Sequence, residues 1–321
     1  MGQELYHSSP AARAIYDWAE QRRPGLTELC FEGPPEQLNA TVNTQPCLFV
    51  TDLACALALE EACSHQVNPG LDAPSSLCGP DRLISLTPMA AGNETAVPAL
   101  AEGAAGFSLG EIAAGCYAGL VGLEQGFDFV CQRAAAMQRC GEERSGVMYA
   151  VIGLDAAAVE SIAHTTGEVY PVNYNCPGQI VVSCSAEAGP ALVEAVAAAH
   201  GRALKLPVSG AFHSPLMDPA AEILAPVVDQ MTWHEPRIRL YANLTGGLYG
   251  DPTVLLSRQV NHPVRWQQTI ETMITDGFDR FVEVGPGKAL SGFIRKIDPS
   301  VTTTGVRDLA SLAQTKELLH G

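Results

Sequence analysis

Positive charge is scarce in this sequence. Its 321 residues include 19 Lys and Arg against 35 Asp and Glu, which gives a formal net charge of -16 at pH 7. Proteins that bind nucleic acid or an anionic membrane surface need a basic footprint, and the few cations here are scattered along the chain. The composition therefore argues against nucleic acid and membranes as partners, and any anionic ligand must be met by a local cluster of cations.

The sequence also lacks the marks of an exported or metal-binding protein. Met1-Gly2-Gln3-Glu4 has neither the basic nor the apolar region of a signal peptide, and Tyr6 departs from the myristoylation pattern. None of the ten cysteines lies in a C-x-x-C pair, and several, such as Cys47 and Cys116, lie within apolar runs. Such cysteines are typical of reduced, buried thiols rather than of zinc ligands or disulfides. We therefore expect a cytoplasmic protein with no metal site.

The N-terminal part reads as helical. Ser8-Ser9-Pro10 combines an N-cap with a first-turn proline, and Thr44-Gln45-Pro46 is a second such start. Residues 47–60 are apolar nearly all round, which predicts a buried helix. A chain that is 47% hydrophobic can build a sizeable core, and its length predicts two domains, or one domain with an insertion.

The stretch Gly106-Phe107-Ser108-Leu109-Gly110 has the G-x-S-x-G pattern of a nucleophile elbow. We expect both glycines to be required, because a side chain at either place would collide with the neighbouring element. The turn would expose the hydroxyl of Ser108 and leave the amide of Leu109, at a helix N-terminus, free to donate to an oxyanion. Ordinary Gly/Ser turns also match this pattern, so other residues must decide.

Between the second helix and the elbow, proline and glycine interrupt the sequence repeatedly. Residues 68–103 are therefore predicted to form a long surface loop, with at most one short element around residues 83–86. A strand over residues 99–105 is expected because the elbow requires one, since the segment is poor in β-branched residues.

Residues 145–211 read as a small domain inserted into a larger α/β domain formed by residues 1–144 and 212–321. Its predicted elements are strand 147–154, a helix capped by Asp155, strand 169–174, the turn 175–178, strand 179–184, a helix with Leu192, Val193, Val196 and Ala197 on one face, and strand 203–208. That βαββαβ order is the ferredoxin-like pattern. The elements predicted after it are strand 237–243, helices 254–260 and 267–276, strand 281–284 and helix 289–297. We expect a cleft where the two domains meet.

Eight motifs together resemble the malonyl-CoA:acyl carrier protein transacylases and the related acyltransferase domains of fatty-acid and polyketide synthases. They are Thr44-Gln45-Pro46, the Ser108 elbow, Arg133 within a helix, Asn175-Cys176-Pro177-Gly178-Gln179, Gly210-Ala211-Phe212-His213-Ser214, Asn243-Leu244-Thr245-Gly246, Gln259 before Pro263-Val264-Arg265-Trp266, and Glu283-Val284-Gly285-Pro286-Gly287. The resemblance covers nearly the whole chain. It implies an α/β-hydrolase-like large domain with a ferredoxin-like small domain, in agreement with the pattern above.

The resemblance also implies a reaction. Ser108 would carry the malonyl group as an ester between malonyl-CoA and the phosphopantetheine thiol of acyl carrier protein. His213 would be the general base that a serine nucleophile needs, with His262 as its rival. A backbone carbonyl at Gln259 would orient the base, although Gln259 also fits an ordinary solvated helix residue.

Substrate recognition is implied at three positions. Arg133 would hold the malonyl carboxylate, because a guanidinium offers a planar fork to that group. The alternative, a surface arginine on an amphipathic helix, applies more naturally to Arg139 and Arg144. Phe212 matches the pattern seen with malonyl specificity and also fits a core aromatic. Asn175 is a further substrate-binding residue by resemblance.

The expected partners are malonyl-CoA and acyl carrier protein. We expect this protein to be a monomer and to need no cofactor, since the coenzyme A thioester is the substrate. Lys288, Arg295, Lys296, Arg202 and Lys205 form the best candidate basic patch for such anionic partners. Two other functions stay open: an α/β-type serine hydrolase or thioesterase, and a catalytically impaired relative that binds acyl carrier protein.

Two departures from the family pattern bear on these alternatives. Most members begin with a strand and a Gly-Gln-Gly-Ser-Gln loop whose first glutamine lends an amide to the oxyanion hole. The sequence here starts at the helix that follows this loop. We therefore expect either a truncated chain or a protein whose oxyanion hole lacks the glutamine amide. Phe107 stands where histidine is usual, so the nucleophile loses a polar neighbour.

Overall fold

Helices and short strands alternate along the chain in a computed structural model that describes residues 1–64, 100–208 and 210–320. The helices are α1 Gln3–Ser8, α2 Pro10–Arg22, α3 Leu26–Glu32, α4 Pro35–Leu38, α5 Thr41–Ser64, α6 Gly110–Ala118, α7 Leu123–Glu143, α8 Ala156–Thr166, α9 Gly189–Ala198, α10 Asp218–Gln230, α11 Pro252–Gln259, α12 Trp266–Thr275, α13 Ala289–Ile297 and α14 Leu309–His320. The strands are β1 Gly103–Ala105, β2 Gly146–Ile152, β3 Val169–Cys176, β4 Gln179–Ser185, β5 Arg202–Lys205, β6 Arg239–Tyr241, β7 Arg280–Val284 and β8 Thr302–Val306. A short 3-10 helix, Pro215–Met217, precedes α10.

The N-terminal helices pack around the long helix α5. The side chain of Ser9 caps α2, as predicted, by accepting a hydrogen bond from the amide of Ala12. The predicted start of α5 was wrong, because the helix begins at Thr41 and contains Pro46. Pro46 has no N–H for the carbonyl of Val42, and Arg23 Nη1 donates to that carbonyl instead, at 2.7 Å. Within the three described ranges, none of the helices combines the length and apolarity that a membrane span requires.

The middle of the chain forms an antiparallel sheet with strand order β3-β4-β2-β5. Together with α8 and α9 this is the ferredoxin-like arrangement, so the predicted fold is confirmed. The helices cover one face through a core that includes Val151, Val182, Leu192 and Val196, whereas Val193 is exposed. The domain boundaries at residues 145 and 211 stay a prediction.

Several predicted limits inside this sheet were wrong. Strand β3 runs on to Cys176, so the turn between β3 and β4 is only Pro177-Gly178 rather than residues 175–178. Pairing with β4 at Gln179 keeps those two extra residues in the strand. Strand β5 ends at Lys205, because its pairing with β2 ends there.

The strands outside this sheet form two parallel pairs, β1 with β6 and β7 with β8. Strands β1 and β6 have three residues each and are shorter than predicted, because each pairs only over that length. Helix α10, strand β8 and helix α14 were not predicted. The predicted loop 68–103, including residues 83–86, lies almost entirely outside the described residues. Pairing of β1 with β6 brings the elbow next to the chain that follows β6, and this placement builds the site.

Candidate active site

Ser108 lies at a sharp turn between strand β1 and helix α6. Its φ is +53°, in the left-handed region, and the turn is the predicted elbow. A Cβ on Gly106 would lie 1.9 Å from the carbonyl carbon and oxygen of Gly110, so only glycine fits there. The same requirement predicted for Gly110 was wrong, because a Cβ there would meet no described atom within 4 Å.

Asn243, just after β6, fastens this elbow. Its Oδ1 accepts a hydrogen bond from the amide of Ser108 at 2.7 Å, and its Nδ2 donates to the carbonyl of Gly106 at 2.5 Å. The side chain is 1% exposed. Because one amide side chain bonds to backbone on both sides of Phe107, the direction of the Ser108 side chain is fixed.

His213 forms the contact expected of a base. Its Nε2 lies 2.7 Å from Ser108 Oγ, and its Nδ1 lies 2.9 Å from the carbonyl oxygen of Gln259. A carbonyl only accepts hydrogen bonds, so Nδ1 carries the proton and Nε2 of the neutral ring is left to accept from the serine hydroxyl. The backbone amide of His213 also donates to the carbonyl of Val260, at 2.8 Å. The end of α11 thus orients the ring.

The environment of His213 keeps its ring neutral. Burial and then the cation of Arg133 lower the pKa of His213, hydrogen bonds to backbone at Gln259 and His262 oppose them, and the resulting pKa is about 4. The side chain is 3% exposed. At neutral pH the ring is therefore in the form that can take a proton.

Arg133, on helix α7, is buried against the nucleophile. It is 1% exposed and donates to Ser108 Oγ at 3.1 Å, to Gln45 Oε1 at 2.6 Å and twice to Gln259 Oε1, at 3.1 and 2.8 Å. Burial lowers its pKa to about 10, so the group stays charged at neutral pH. No carboxylate of a described residue forms an ion pair with Arg133, and an anionic ligand would find a fixed cation here.

Gln259 joins the parts of the site. It is 3% exposed rather than solvated, and its Nε2 donates to the carbonyl of Ser108 at 2.8 Å and to a carboxylate oxygen of Glu111. Its side-chain oxygen accepts from Arg133, while its backbone carbonyl orients His213. The predicted residues Ser108, Arg133, His213 and Gln259 thus form one hydrogen-bonded cluster.

Sequence reasoning missed Glu111 and treated Asn243 and Gln45 only as parts of motifs. Glu111 is 3% exposed and also accepts from the amide of Asn243, at 3.1 Å. A glutamate in the first turn of a helix is usually a surface charge that suits the helix dipole. The available signal was that the residues after it, Ile112-Ala113-Ala114, are all apolar.

The remaining predicted residues surround the cluster, and their side chains form no hydrogen bond with it among the described contacts. The amide of Leu109 has no acceptor among the described residues and lies at the N-terminus of α6. Phe212 is half-buried between two apolar clusters. Asn175 on β3 is 3% exposed, and its Oδ1 has no partner in the described part of the chain. His262 bonds to Arg258 and Asn261 instead of Ser108.

Phe107 belongs to an apolar contact next to the nucleophile. Its ring packs edge-on against Trp266 with the centroids 5.6 Å apart. Both residues lie in a core that includes Tyr241 and Phe281. The aromatic side chain at this position therefore extends the core up to the elbow.

A cavity of about 450 Å³ opens beside His213. Its walls are Tyr170, Pro171, His213, Pro215, Asp218, Asn261, His262 and Pro263. Tyr170 and Pro171 come from the antiparallel sheet, and the other residues come from the chain around α10 and α11. The cavity therefore lies between the two parts of the fold, with the candidate base in its wall.

Comparison with known proteins agrees with this geometry. Residues 98–302 match the family described as the acyl transferase domain. The malonyl CoA-acyl carrier protein transacylase of Bacillus subtilis is 32% identical over 318 residues, which are 96% of this chain and 89% of that protein. The Escherichia coli K12 protein of the same name is 32% identical over 326 residues, covering 98% and 91%.

Solved structures share the whole fold. The malonyl CoA-acyl carrier protein transacylase of Clostridium perfringens superposes with a TM-score of 0.84 at 32% identity, over 100% of this chain and 92% of that one. A malonyl-transacylase solved in complex with a type II polyketide synthase acyl carrier protein gives a TM-score of 0.82 at 30% identity, over 99% and 94%.

Proposed function

Since this chain belongs to the malonyl-CoA:acyl carrier protein transacylase family of acyltransferases, we propose that it transfers a malonyl group from malonyl-CoA to the phosphopantetheine thiol of an acyl carrier protein. The observation that carries the proposal is the contact between Ser108 Oγ and His213 Nε2, at 2.7 Å beside the buried Arg133. No resident cofactor takes part, since coenzyme A enters as the substrate thioester. Acyl groups would pass through an ester on Ser108.

In the first half-reaction Ser108 attacks the thioester carbonyl. Its hydroxyl proton passes to Nε2 of His213, which is free to accept because Nδ1 already donates to the carbonyl of Gln259. The amide of Leu109 donates to the oxyanion that forms on the carbonyl oxygen. The bond from carbon to sulfur then breaks, the thiol of coenzyme A leaves with the proton from His213, and malonyl-Ser108 remains.

The second half-reaction reverses these steps with another thiol. His213 removes the proton from the phosphopantetheine thiol, the sulfur attacks the ester carbonyl, and the hydroxyl of Ser108 is restored. Throughout, Arg133 binds the distal carboxylate of the malonyl group and so selects malonyl over acetyl. Asn175 and Phe212 are proposed to contact the substrate, the first through an unpaired buried carbonyl oxygen.

Two observations weigh against the alternative functions. In serine hydrolases with a triad a carboxylate orients the histidine, whereas Nδ1 of His213 donates to a backbone carbonyl. An impaired relative needs no intact nucleophile and base, yet both lie in hydrogen-bonding contact here. We therefore favour acyl transfer.

The proposal is tested by the acyl-enzyme itself. Protein mixed with malonyl-CoA is expected to gain one malonyl group by intact-mass spectrometry, to lose it with hydroxylamine, and to gain none as Ser108→Ala. Adding holo acyl carrier protein should move the label onto the carrier. A label that persists in Ser108→Ala contradicts the serine assignment, and loss to water at the same rate with and without the carrier would favour a hydrolase.

A further inference from the structure

Glu111 is a buried carboxylate that the acyl-transfer steps above do not use. It is 3% exposed and lies in the first turn of α6. It accepts hydrogen bonds from the amide of Asn243 and from Gln259 Nε2, and Tyr249 adds a third, from its hydroxyl. These bonds and the cation of Arg133 favour the charged form, but burial outweighs them and raises the pKa of Glu111 to about 7. The carboxyl can therefore exist in either form near neutral pH.

Glu111 and Arg133 are joined through a single amide. Arg133 donates to Gln259 Oε1 from Nε and Nη2, and the same amide donates from Nε2 to Glu111. Arg133 is 1% exposed and, within the described ranges, has no carboxylate in direct contact. The cluster thus contains one buried cation whose nearest balancing anion lies on the far side of Gln259.

A bound malonyl group would add a second anion to this cluster. Two carboxylates would then share one guanidinium in a site that water barely reaches, and burying an unbalanced charge is costly. The ligand carboxylate contacts Arg133 directly, whereas Glu111 acts only through Gln259. The more weakly paired carboxylate is the one that should be neutralised.

We propose that Glu111 is the charge-balancing residue of Arg133, and that it takes up a proton from solvent when the carboxylate of a malonyl group docks on Arg133. This inference rests on the proposed function, since it needs the malonyl group at this site. It makes Glu111 a positioning residue. When protonated, the Glu111 carboxyl is uncharged but still accepts a hydrogen bond from Gln259, and the charge of Arg133 is balanced by the ligand carboxylate. An acyl group without a distal carboxylate would cause no such uptake.

The charged or titratable groups that face Glu111 are Arg133 on α7, Tyr249 after β6 and, across Gln259, His213. Burial raises the pKa of Tyr249 far above neutrality, so Tyr249 stays protonated in both states. His213 is the competing acceptor, since pairing of Arg133 removes one cause of its lowered pKa. Its pKa starts at about 4, so it would take up protons mainly at acidic pH.

The reaction itself neither consumes nor releases a proton at neutral pH. A serine hydroxyl and a thioester give an ester and a thiol, and a thiol with a pKa of roughly 8.5 leaves protonated at pH 7. Any net uptake during acylation of Ser108 therefore reports a protein group. A carboxyl with a pKa of about 7 is half ionised at pH 7, which sets the expected size at roughly half a proton per ester.

The experiment is stopped-flow acylation in weak buffer with a pH indicator, with the ester counted by mass spectrometry in the same sample. Wild-type protein with malonyl-CoA should take up roughly half a proton per malonyl-Ser108 at pH 7, and less at pH 6. Wild-type protein with acetyl-CoA, counted per acetyl ester, should show none. The conservative variant Glu111→Gln should form the malonyl ester without uptake.

Three results would overturn the inference: malonyl ester formed without proton uptake, equal uptake with acetyl-CoA, or equal uptake in Glu111→Gln. Uptake that grows steadily below pH 6 would assign the proton to His213 instead. The two wild-type arms remain decisive if Glu111→Gln does not fold. Absence of any ester in wild-type protein would instead contradict the proposed function, so the two failures are distinguishable.

Discussion

Arg133 Nη2 lies 3.1 Å from Ser108 Oγ, so the residue proposed to choose the substrate also contacts the nucleophile. The serine oxygen accepts from this cation while its own hydrogen points at His213. A cation at this distance favours negative charge on the serine oxygen, but it also lowers the pKa of the base. Under the proposed function, one side chain would thereby couple substrate selection to activation of the nucleophile.

Replacing Arg133 should change substrate preference. In Arg133→Ala, malonyl transfer loses a charge-assisted pair, and kcat/KM is expected to fall by about a hundredfold or more, whereas acetyl transfer falls much less. The measurement is kcat/KM for both thioesters with the same carrier protein. Arg139→Ala, on the exposed face of the same helix, is the matched control. Equal losses for malonyl and acetyl would make Arg133 structural.

The two candidate histidines should respond differently to substitution. His213→Gln is expected to slow acylation of Ser108 by about 10²-fold to 10⁴-fold, because the proton acceptor is lost. His262→Gln should stay close to the parent protein, because His262 bonds to Arg258 and Asn261 and not to the serine. Single-turnover acylation followed by mass spectrometry measures both. A large loss in His262→Gln alone would reverse the assignment.

The ionisation of His213 should depend on Arg133. With a pKa of about 4, the ring of His213 should remain neutral above about pH 5.5. This range lies above the pI of 4.8, where the protein has no net charge. Because the Arg133 cation opposes a second positive charge, Arg133→Gln should raise the pKa of His213 and bring its protonation closer to this range. NMR of ¹⁵N-labelled histidine, assigned with His213→Gln, follows the ring. An imidazolium in the parent protein at pH 6, or a lowered pKa in Arg133→Gln, would contradict this account.

The carrier protein is expected to dock on cations near α13. Lys288, Arg295 and Lys296 are exposed there, and Lys296 Nζ lies 3.4 Å from Gln179 Oε1 at the start of β4. Arg202 lies across β2 from Gln179, since both are in register with Ile152. None of these cations takes part in an ion pair formed among residues 1–64, 100–208 and 210–320, although the sequence has more acidic than basic residues.

Reversing two of these charges should weaken docking but spare acylation. Lys288→Glu with Arg295→Glu is expected to raise the apparent KM for the carrier protein, more strongly at low salt, while Ser108 still accepts malonate from malonyl-CoA. Arg139→Glu with Arg144→Glu changes the charge equally on another surface and should leave that KM unchanged. Carrier kinetics at low ionic strength give the answer, and equal effects in both double variants would mean a general charge effect.

Part of the structure was predictable because its residues carry local signals. The elbow and the capped helix at Asp155 each depend on a few neighbouring residues, and the structure has Asp155 Oδ1 accepting from the amide of Ala158 as expected. The strand-like and helical segments of the small domain likewise predicted its βαββαβ order of elements. Local patterns therefore gave the ferredoxin-like small domain and Ser108, whereas the resemblance to the family supplied Arg133, His213 and Gln259.

The unpredicted parts depend on contacts between distant residues. Glu111 meets Gln259 across 148 positions of sequence, so its neighbours in the chain could signal its burial but not its partner. Helix α5 tolerates Pro46 because Arg23 donates to the carbonyl of Val42. Strands β1 and β6 are shorter than predicted because they pair with each other over only three residues. In each case a tertiary partner outweighs the local propensity.

The backbone at the two reacting residues has a further consequence. Ser108 and His213 have φ values of +53° and +61°, a region that side chains with a Cβ avoid. Such torsional strain costs about 1 kcal/mol or more at each residue and persists where function requires it. Ser108→Gly should therefore unfold at a higher temperature than Ser108→Ala, although both are inactive. The backbone conformation that points the Ser108 hydroxyl at the His213 ring thus lowers the free energy of unfolding. At Ser108, only a substitution that also removes the nucleophile would relieve this strain.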